Sequence, residues 1–284
     1  MQKTYDTIGR EHFYRVINEV EFHKKNDKYI PNSELKHIVN YYKRYGPGNY
    51  KFYSYLYALK LKDVVESIIN SQKQLTVLDA GCGVGSESIL FSSLGAKVTG
   101  VDLEGKFINI AKKRLLYYKD FYDLDLDLTF YNKDIFKFDT AVDAVWAHNF
   151  ISHVYSVEKF IGHIHNNLNP NGTLTICDSN KLNPYVFLSN TRVHMITGDH
   201  VYRVDPDTGE KIKCAMEVNS SPSELVKLLE KENFTIESVR IFGFLPNMLS
   251  NTGVRVKITL DKLCGKVPFL NKFGVFYSIT GRKT

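Results

Sequence analysis

The chain has 284 residues, 43% hydrophobic and 24% charged, an ordinary globular composition whose length suits one large domain, or one domain with a cap. Its four cysteines, Cys82, Cys177, Cys214 and Cys264, form no CxxC pair, which argues against a zinc site and reads as the reduced thiols of a cytoplasmic protein. A dispersed net charge of +6 argues against a nucleic-acid footprint, and a polar Met1–Arg10 with no later run of about 18 apolar residues predicts neither a secretory signal nor a membrane span.

Residues 1–60 are rich in Tyr, Lys and Asn and read as a helical N-terminal lid. Gly46-Pro47-Gly48 marks a turn with helices on either side. Leu56, Leu59, Leu61, Val64, Val65 and Ile68 give a helical apolar stripe that ends near Asn70. From residue 75 strands and helices alternate: strands at Leu75–Leu78, Lys97–Val101, Leu126–Tyr131, Ala141–Ala147 and Thr173–Cys177, helices at Ser86–Leu94, Lys106–Tyr118 and Val157–Leu168. Asn169-Pro170-Asn171-Gly172 is a turn signal. The polar stretch 181–220 reads as a cap insertion within a domain of residues 61–284. Ser223–Lys231 resumes as a helix, and Thr235–Phe242 and Phe273–Thr280 close the chain as strands. This rhythm predicts an α/β fold, with a mostly parallel sheet covered by helices on both faces. Ligands then bind at the carboxyl edge of the strands.

Val77-Leu78-Asp79-Ala80-Gly81-Cys82-Gly83-Val84-Gly85 runs from a buried strand through a glycine loop into a helix. Glycines let the backbone turn tightly and approach a ligand, and the helix N-terminus offers free N–H groups to an anion. A dinucleotide fingerprint would need a third glycine where Ser86 stands. Asp79 would also repel a pyrophosphate, so a nicotinamide oxidoreductase is disfavoured. The carboxylate suits a ligand that carries an ammonium group. A second acid, Asp102, ends the next strand twenty-three positions later, near the spacing of about 20 at which an acid meets ribose hydroxyls.

The segment from Asp79 to Gly85 resembles the first motif of class I S-adenosyl-L-methionine (SAM)-dependent methyltransferases, an acid followed by GxGxG. The resemblance covers roughly residues 60–180, and 220–284 more loosely. It implies a Rossmann-like seven-stranded sheet whose last strand inserts antiparallel, with SAM as the cofactor. It places Asp79, Gly81 and Gly83 at the donor and Asp102 at the ribose, with Glu104 as a second candidate. Leu103 lies against the adenine. In Asn132-Lys133-Asp134-Ile135, Asp134 accepts from the adenine amino group and Ile135 lies beside the ring.

Ala147-His148-Asn149-Phe150-Ile151-Ser152-His153-Val154 is similar to the family segment N-x-L-H-H-V. It places His148 at the methionine end of SAM and His153 at a position that serves as general base in some small-molecule O-methyltransferases. Asp178, after the fifth strand, would orient that imidazole. Two readings stay open beside this one: His153 packing its helix start, and His148 as the base. His194, His200, Arg203 and the N-terminal tyrosines are further candidates to reach the acceptor. Asn183-Pro184-Tyr185 lies after the wrong strand to be an amino-methylation motif, and Asp178 with Asn180 lacks the third acid of a metal centre, so no metal is expected. Leu263–Leu270 reads as a crossover packed on the sheet, or as a shallow membrane-contacting helix. The expected activity is methyl transfer from SAM to a small molecule, a sugar or natural-product hydroxyl ahead of an amine. A nucleic-acid acceptor and a catalytically silent SAM-binding partner subunit are the alternatives. Oligomeric state is open.

Overall fold

Short runs of β-branched and aliphatic residues, buried on both faces in the middle of the sheet, make the central parallel strands, as helix-covered sheets require. The computed structural model describes residues 3–43, 49–245 and 253–284, without the side chains of 40–43 and 197. Three helices come first: α1 (Tyr5–Lys25), α2 (Asn32–Lys43) and α3 (Tyr50–Asn70). There follow β1 (Thr76–Ala80), α4 (Ser86–Ser93), β2 (Lys97–Asp102), α5 (Gly105–Tyr122), β3 (Leu128–Asn132), β4 (Val142–His148), α6 (Val157–Asn167) and β5 (Leu168–Ser179). Beyond these lie α7 (Pro184–Thr197), a hairpin of β6 (His200–Val204) and β7 (Lys211–Ala215), α8 (Pro222–Lys231), β8 (Phe234–Phe242), α9 (Val254–Cys264) and β9 (Phe276–Lys283).

The sheet has seven strands in the order β3-β2-β1-β4-β5-β9-β8. β1 to β5 are parallel, and β9 enters antiparallel between β5 and β8. This is the Rossmann-like arrangement expected from the motifs. One core layer joins α1, α3, α4 and α5 to the sheet, and the other joins α6 and α8. Several helix starts carry side-chain caps. Ser221 and Glu224 form a capping box on α8, and the Ser156 side chain accepts from Lys159 N on α6.

The structure departs from the sequence reading in three places. Residues 169–172 form no free turn. They are a bulge inside β5, where Leu168 pairs with Val142 and Thr173 already pairs with Ala144. Asn171 takes the left-handed φ of +62° that this detour needs, and Asn169 is tied to Asp143 at 3.0 Å. The edge drawn at residue 60 falls inside α3, an unbroken helix, because its apolar stripe continues on both sides. Tyr53, Tyr55 and Tyr57 are buried in the core. The Gly46-Pro47-Gly48 turn, Tyr45 and the side chains of Tyr41 and Tyr42 lie outside the described residues. The 181–220 insertion is an exposed helix followed by a separate two-stranded hairpin.

The N-terminal helices are bound to the sheet by a buried ion pair. Arg114 of α5 donates Nε and Nη2 to the two oxygens of Glu19 on α1, at 2.6 and 2.7 Å, and neither side chain is exposed to solvent. Arg114 Nη1 also donates to Val84 O and Ser86 Oγ, at 2.7 and 2.8 Å, so the same guanidinium fixes the loop that follows β1. Tyr118 OH completes the set by donating to Glu19.

Candidate functional site

At the carboxyl edge of β1, β2 and β4 lies a cavity of about 240 Å³. The loop after β1 forms its floor. Gly81, Gly83 and Gly85 all have positive φ, the region open to glycine at little cost. A Cβ on Gly81 would stand 2.2 Å from the Phe150 ring, so the loop and the segment after β4 close on each other only without a side chain there.

Asp79 is buried at the end of β1 and accepts from Ser88 Oγ at 2.5 Å. Burial, then the neighbouring Glu87, push its carboxyl up to about 8, against the Ser88 hydrogen bond. Near neutral pH this group is largely protonated until a cation arrives. Asp102 ends β2. Its Oδ2 accepts from Gly83 N at 2.9 Å and its Oδ1 from Glu104 N at 2.8 Å. Burial raises its carboxyl and these N–H groups oppose the rise. A carboxylate has about four acceptor positions, so two bonds leave Asp102 able to accept from a vicinal diol. Leu103 and Ile135 line the cavity together with Phe107 and Phe136, as an apolar slot for a flat ring. Asp134 lines it too, and its side chain caps the short turn Ile135–Lys137 by accepting from Phe136 N at 3.1 Å.

His148 and His153 both line the cavity, in different settings. His148 is buried at the end of β4. The Lys60 ammonium of α3 donates to its Nε2 at 3.1 Å, and its Nδ1 stands 3.6 Å from Glu87 Oε1. A lysine on the Nε2 side leaves Nδ1 to carry the proton. Burial, then Lys60, hold the imidazole below its usual range. Glu87 is held down to about 2, because His148 and His12 outweigh the burial that works to raise it. His148 is therefore the middle of a buried Lys60–His148–Glu87 row. His153 ends the short turn Ile151–His153, and its Nδ1 is buried without a hydrogen-bond partner.

Asp178 does not orient His153 by a hydrogen bond. Its oxygens accept from Ser152 N, Ser152 Oγ and Ser179 N, at 3.2, 3.3 and 2.7 Å. It therefore fixes the backbone of the turn that carries His153. Asn180 and Asn183 are equally committed. They donate to Lys272 O, Gly274 O and Phe273 O, and Asn183 also caps α7. His194 is bound to Met216 O, and the exposed His200 to Asp199. Arg203 does reach the cavity. With Ile212 and Cys214 it brings the β6–β7 hairpin against the Asp102 end, and its Nη1 lies 3.5 Å from Glu104 Oε1. Lys137, beside the Ile135 slot, pairs with Asp205 at the far end of β6.

Sequence reasoning missed Glu87 and Lys60, and it offered Arg203 as reaching the acceptor, whereas the hairpin sets it at the Asp102 end. Lys60 carries a signal: it falls in the stripe between Leu56 and Val64, where a charge faces the core. Nothing local says which end of the site the hairpin covers.

The features of this cavity agree with what is similar to the chain. A family model described as a methyltransferase domain matches residues 71–233. A ubiquinone biosynthesis O-methyltransferase of Pelagibacter ubique is 27% identical over 206 residues, covering 71% of this chain and 75% of that protein. A SAM-dependent methyltransferase structure from Archaeoglobus fulgidus superposes with a TM-score of 0.54 at 15% identity, covering 86% of this chain and 99% of that one. A magnesium protoporphyrin IX methyltransferase from Synechocystis PCC 6803, solved with bound SAH, gives 0.52 at 16% identity, covering 87% and 93%. At these identities the two structures speak for the fold alone.

Proposed function

The chain belongs to the class I SAM-dependent methyltransferases, and on that premise we propose that it methylates a hydroxyl group of a small molecule, with His153 as general base. The observation that carries this reading is the position of His153, in the wall of the same cavity as Asp79, Gly81, Asp102 and Asp134. The residues fit the donor: a buried carboxyl that a cation would ionise, two N–H-bonded oxygens on Asp102 with acceptor capacity to spare, and an apolar slot. Phe150, Val154 and Tyr155 beside His153 support an acceptor with an apolar body, such as a natural product, ahead of a sugar. The name of the Pelagibacter relative supports oxygen as the methylated atom.

SAM, when bound, supplies a methyl group already activated on a sulfonium. The residues of the chain therefore mainly align the reactants. Asp79 and the glycine loop hold the methionine end, and Asp102 holds the ribose. Phe107, Leu103 and Ile135 enclose the adenine, with Asp134 at its amino group. His153 takes the acceptor proton on Nε2, because Nδ1 is buried. A neutral imidazole suits this near pH 7. Asp178 holds the Ser152 backbone and so keeps His153 in place. His148 is the weaker candidate, since a lysine ammonium occupies its Nε2.

Replacing His153 by alanine is expected to lower turnover by about 10²–10⁴-fold while SAM affinity stays the same. Calorimetry beside a steady-state assay checks both, and unchanged turnover on a hydroxyl acceptor would remove His153 from the mechanism. Arg203→Ala loosens the hairpin wall. The pair is partly exposed, so the expected effect on release of S-adenosylhomocysteine is on the order of two- to fivefold faster. Stopped-flow displacement measures it, and an unaltered release rate would show that the hairpin does not close the donor site.

A further inference from the structure

Helix α7 turns an apolar face to solvent. Tyr185, Leu188, Met195 and Ile196 are 67–82% exposed. The helix is held by a narrow strip: Val186 is buried, Asn190 donates to Glu217 O, and His194 meets Met216 O. Isolated exposed leucines need no explanation, but this cluster on one side of a helix, with Arg192 and Ser189 set among the apolar side chains, does. The face continues onto the segment after α9. Asn180 and Asn183, at the start of α7, bind the backbone of Lys272 and Phe273, and Phe269 and Leu270 just before them are also exposed.

Basic side chains outnumber acids around this face, although Asp199, just beyond α7, is exposed and pairs with His200. α7 contains no acid and one exposed base, Arg192. From α9 to Lys272 the exposed charges are Arg255, Lys262, Lys266 and Lys272, and the sole acid there, Asp261, is buried. A twofold contact with a second copy would set this basic face against itself, which costs free energy. Apolar side chains ringed by lysine and arginine instead match the boundary of a bilayer that carries anionic headgroups. Both segments adjoin the carboxyl edge of the sheet, where Ser179 of β5 pairs with Phe276 of β9.

We propose that α7 and residues 263–272 form a docking face for an anionic lipid surface, with α7 lying in the plane of the interface. The face lies outside the catalytic machinery, and the inference is independent of the acceptor reading. No described helix is long and apolar enough to cross a membrane, so contact of this kind would be peripheral.

Flotation with vesicles tests it, using phosphatidylcholine alone and phosphatidylcholine with phosphatidylglycerol. The full chain is expected to float with the second and not the first, and to detach as salt rises. Met195→Glu with Ile196→Glu should abolish flotation. Lys266→Glu with Lys272→Glu should weaken it by on the order of tenfold or more. Calorimetric binding of S-adenosylhomocysteine should match wild type in both variants, which shows that they are folded. Absence of flotation with either vesicle, or equal flotation with both, overturns the proposal. So does light scattering that finds a dimer dispersed by Met195→Glu with Ile196→Glu, since the face would then be a self-interface.

Discussion

Replacing Arg114 by alanine is expected to destabilise the protein by about 3–5 kcal/mol. The pair it forms with Glu19 is fully buried, and its removal leaves a carboxylate in the core with Tyr118 as its remaining partner among these side chains. The loss reaches the site as well. Arg114 holds Val84 O and Ser86 Oγ, so the loop between β1 and α4 loses its brace and SAM affinity falls with stability. Denaturant titration checks the first effect and calorimetry the second. A double change, Arg114→Met with Glu19→Leu, removes both charges and should recover much of the stability, because paired burial is itself costly. An Arg114→Ala protein as stable as wild type would mean that α1 is not anchored by this pair.

The second large effect concerns Asp79. Asp79→Ala is expected to weaken SAM binding by about 2–5 kcal/mol, which is about thirtyfold or more in affinity. Asp79→Asn keeps an acceptor for Ser88 and isolates the charge. The pH dependence follows from the raised carboxyl. Below about 8 the free protein holds a proton on Asp79, and an ammonium ligand favours the carboxylate, so binding releases that proton. Affinity should therefore rise with pH, by up to about tenfold per unit, and stop rising at about pH 8, where the α-ammonium of the ligand loses its own proton. Calorimetry in two buffers of different ionisation heat counts the proton directly. In Asp79→Asn the slope should vanish. A pH-independent affinity in wild type would place the ammonium elsewhere.

The donor half of the site was legible in the sequence because its chemistry is local. An acid at a strand end, three glycines and a second acid one crossover later are set by backbone geometry, and the cavity holds Asp79, Gly81, Gly83 and Asp102 together. What was less legible depends on contacts between distant elements. The partners of Asp178 are chosen by the turn at Ser152, twenty-six residues away, so no spacing rule could say that its oxygens would be taken. Glu19, Lys60 and Arg114 each sit on an apolar helical stripe, which shows that they are buried but not which charge each meets. The bulge at 169–172 has turn chemistry, and only pairing with β4 makes it part of a strand. α7 reads as part of a polar insertion when averaged over 181–220, and its apolar face emerges only once the helix is placed.

We propose that His153 serves a hydroxyl acceptor in this cavity. The most direct test is transfer of a radiolabelled methyl group from SAM to a panel of phenolic, sugar and amine acceptors, by wild type and by His153→Ala side by side. An ether-linked label on a hydroxyl acceptor is expected, nearly lost in the variant although the variant binds SAM normally. Label on an amine, transferred equally well without the histidine, would contradict it.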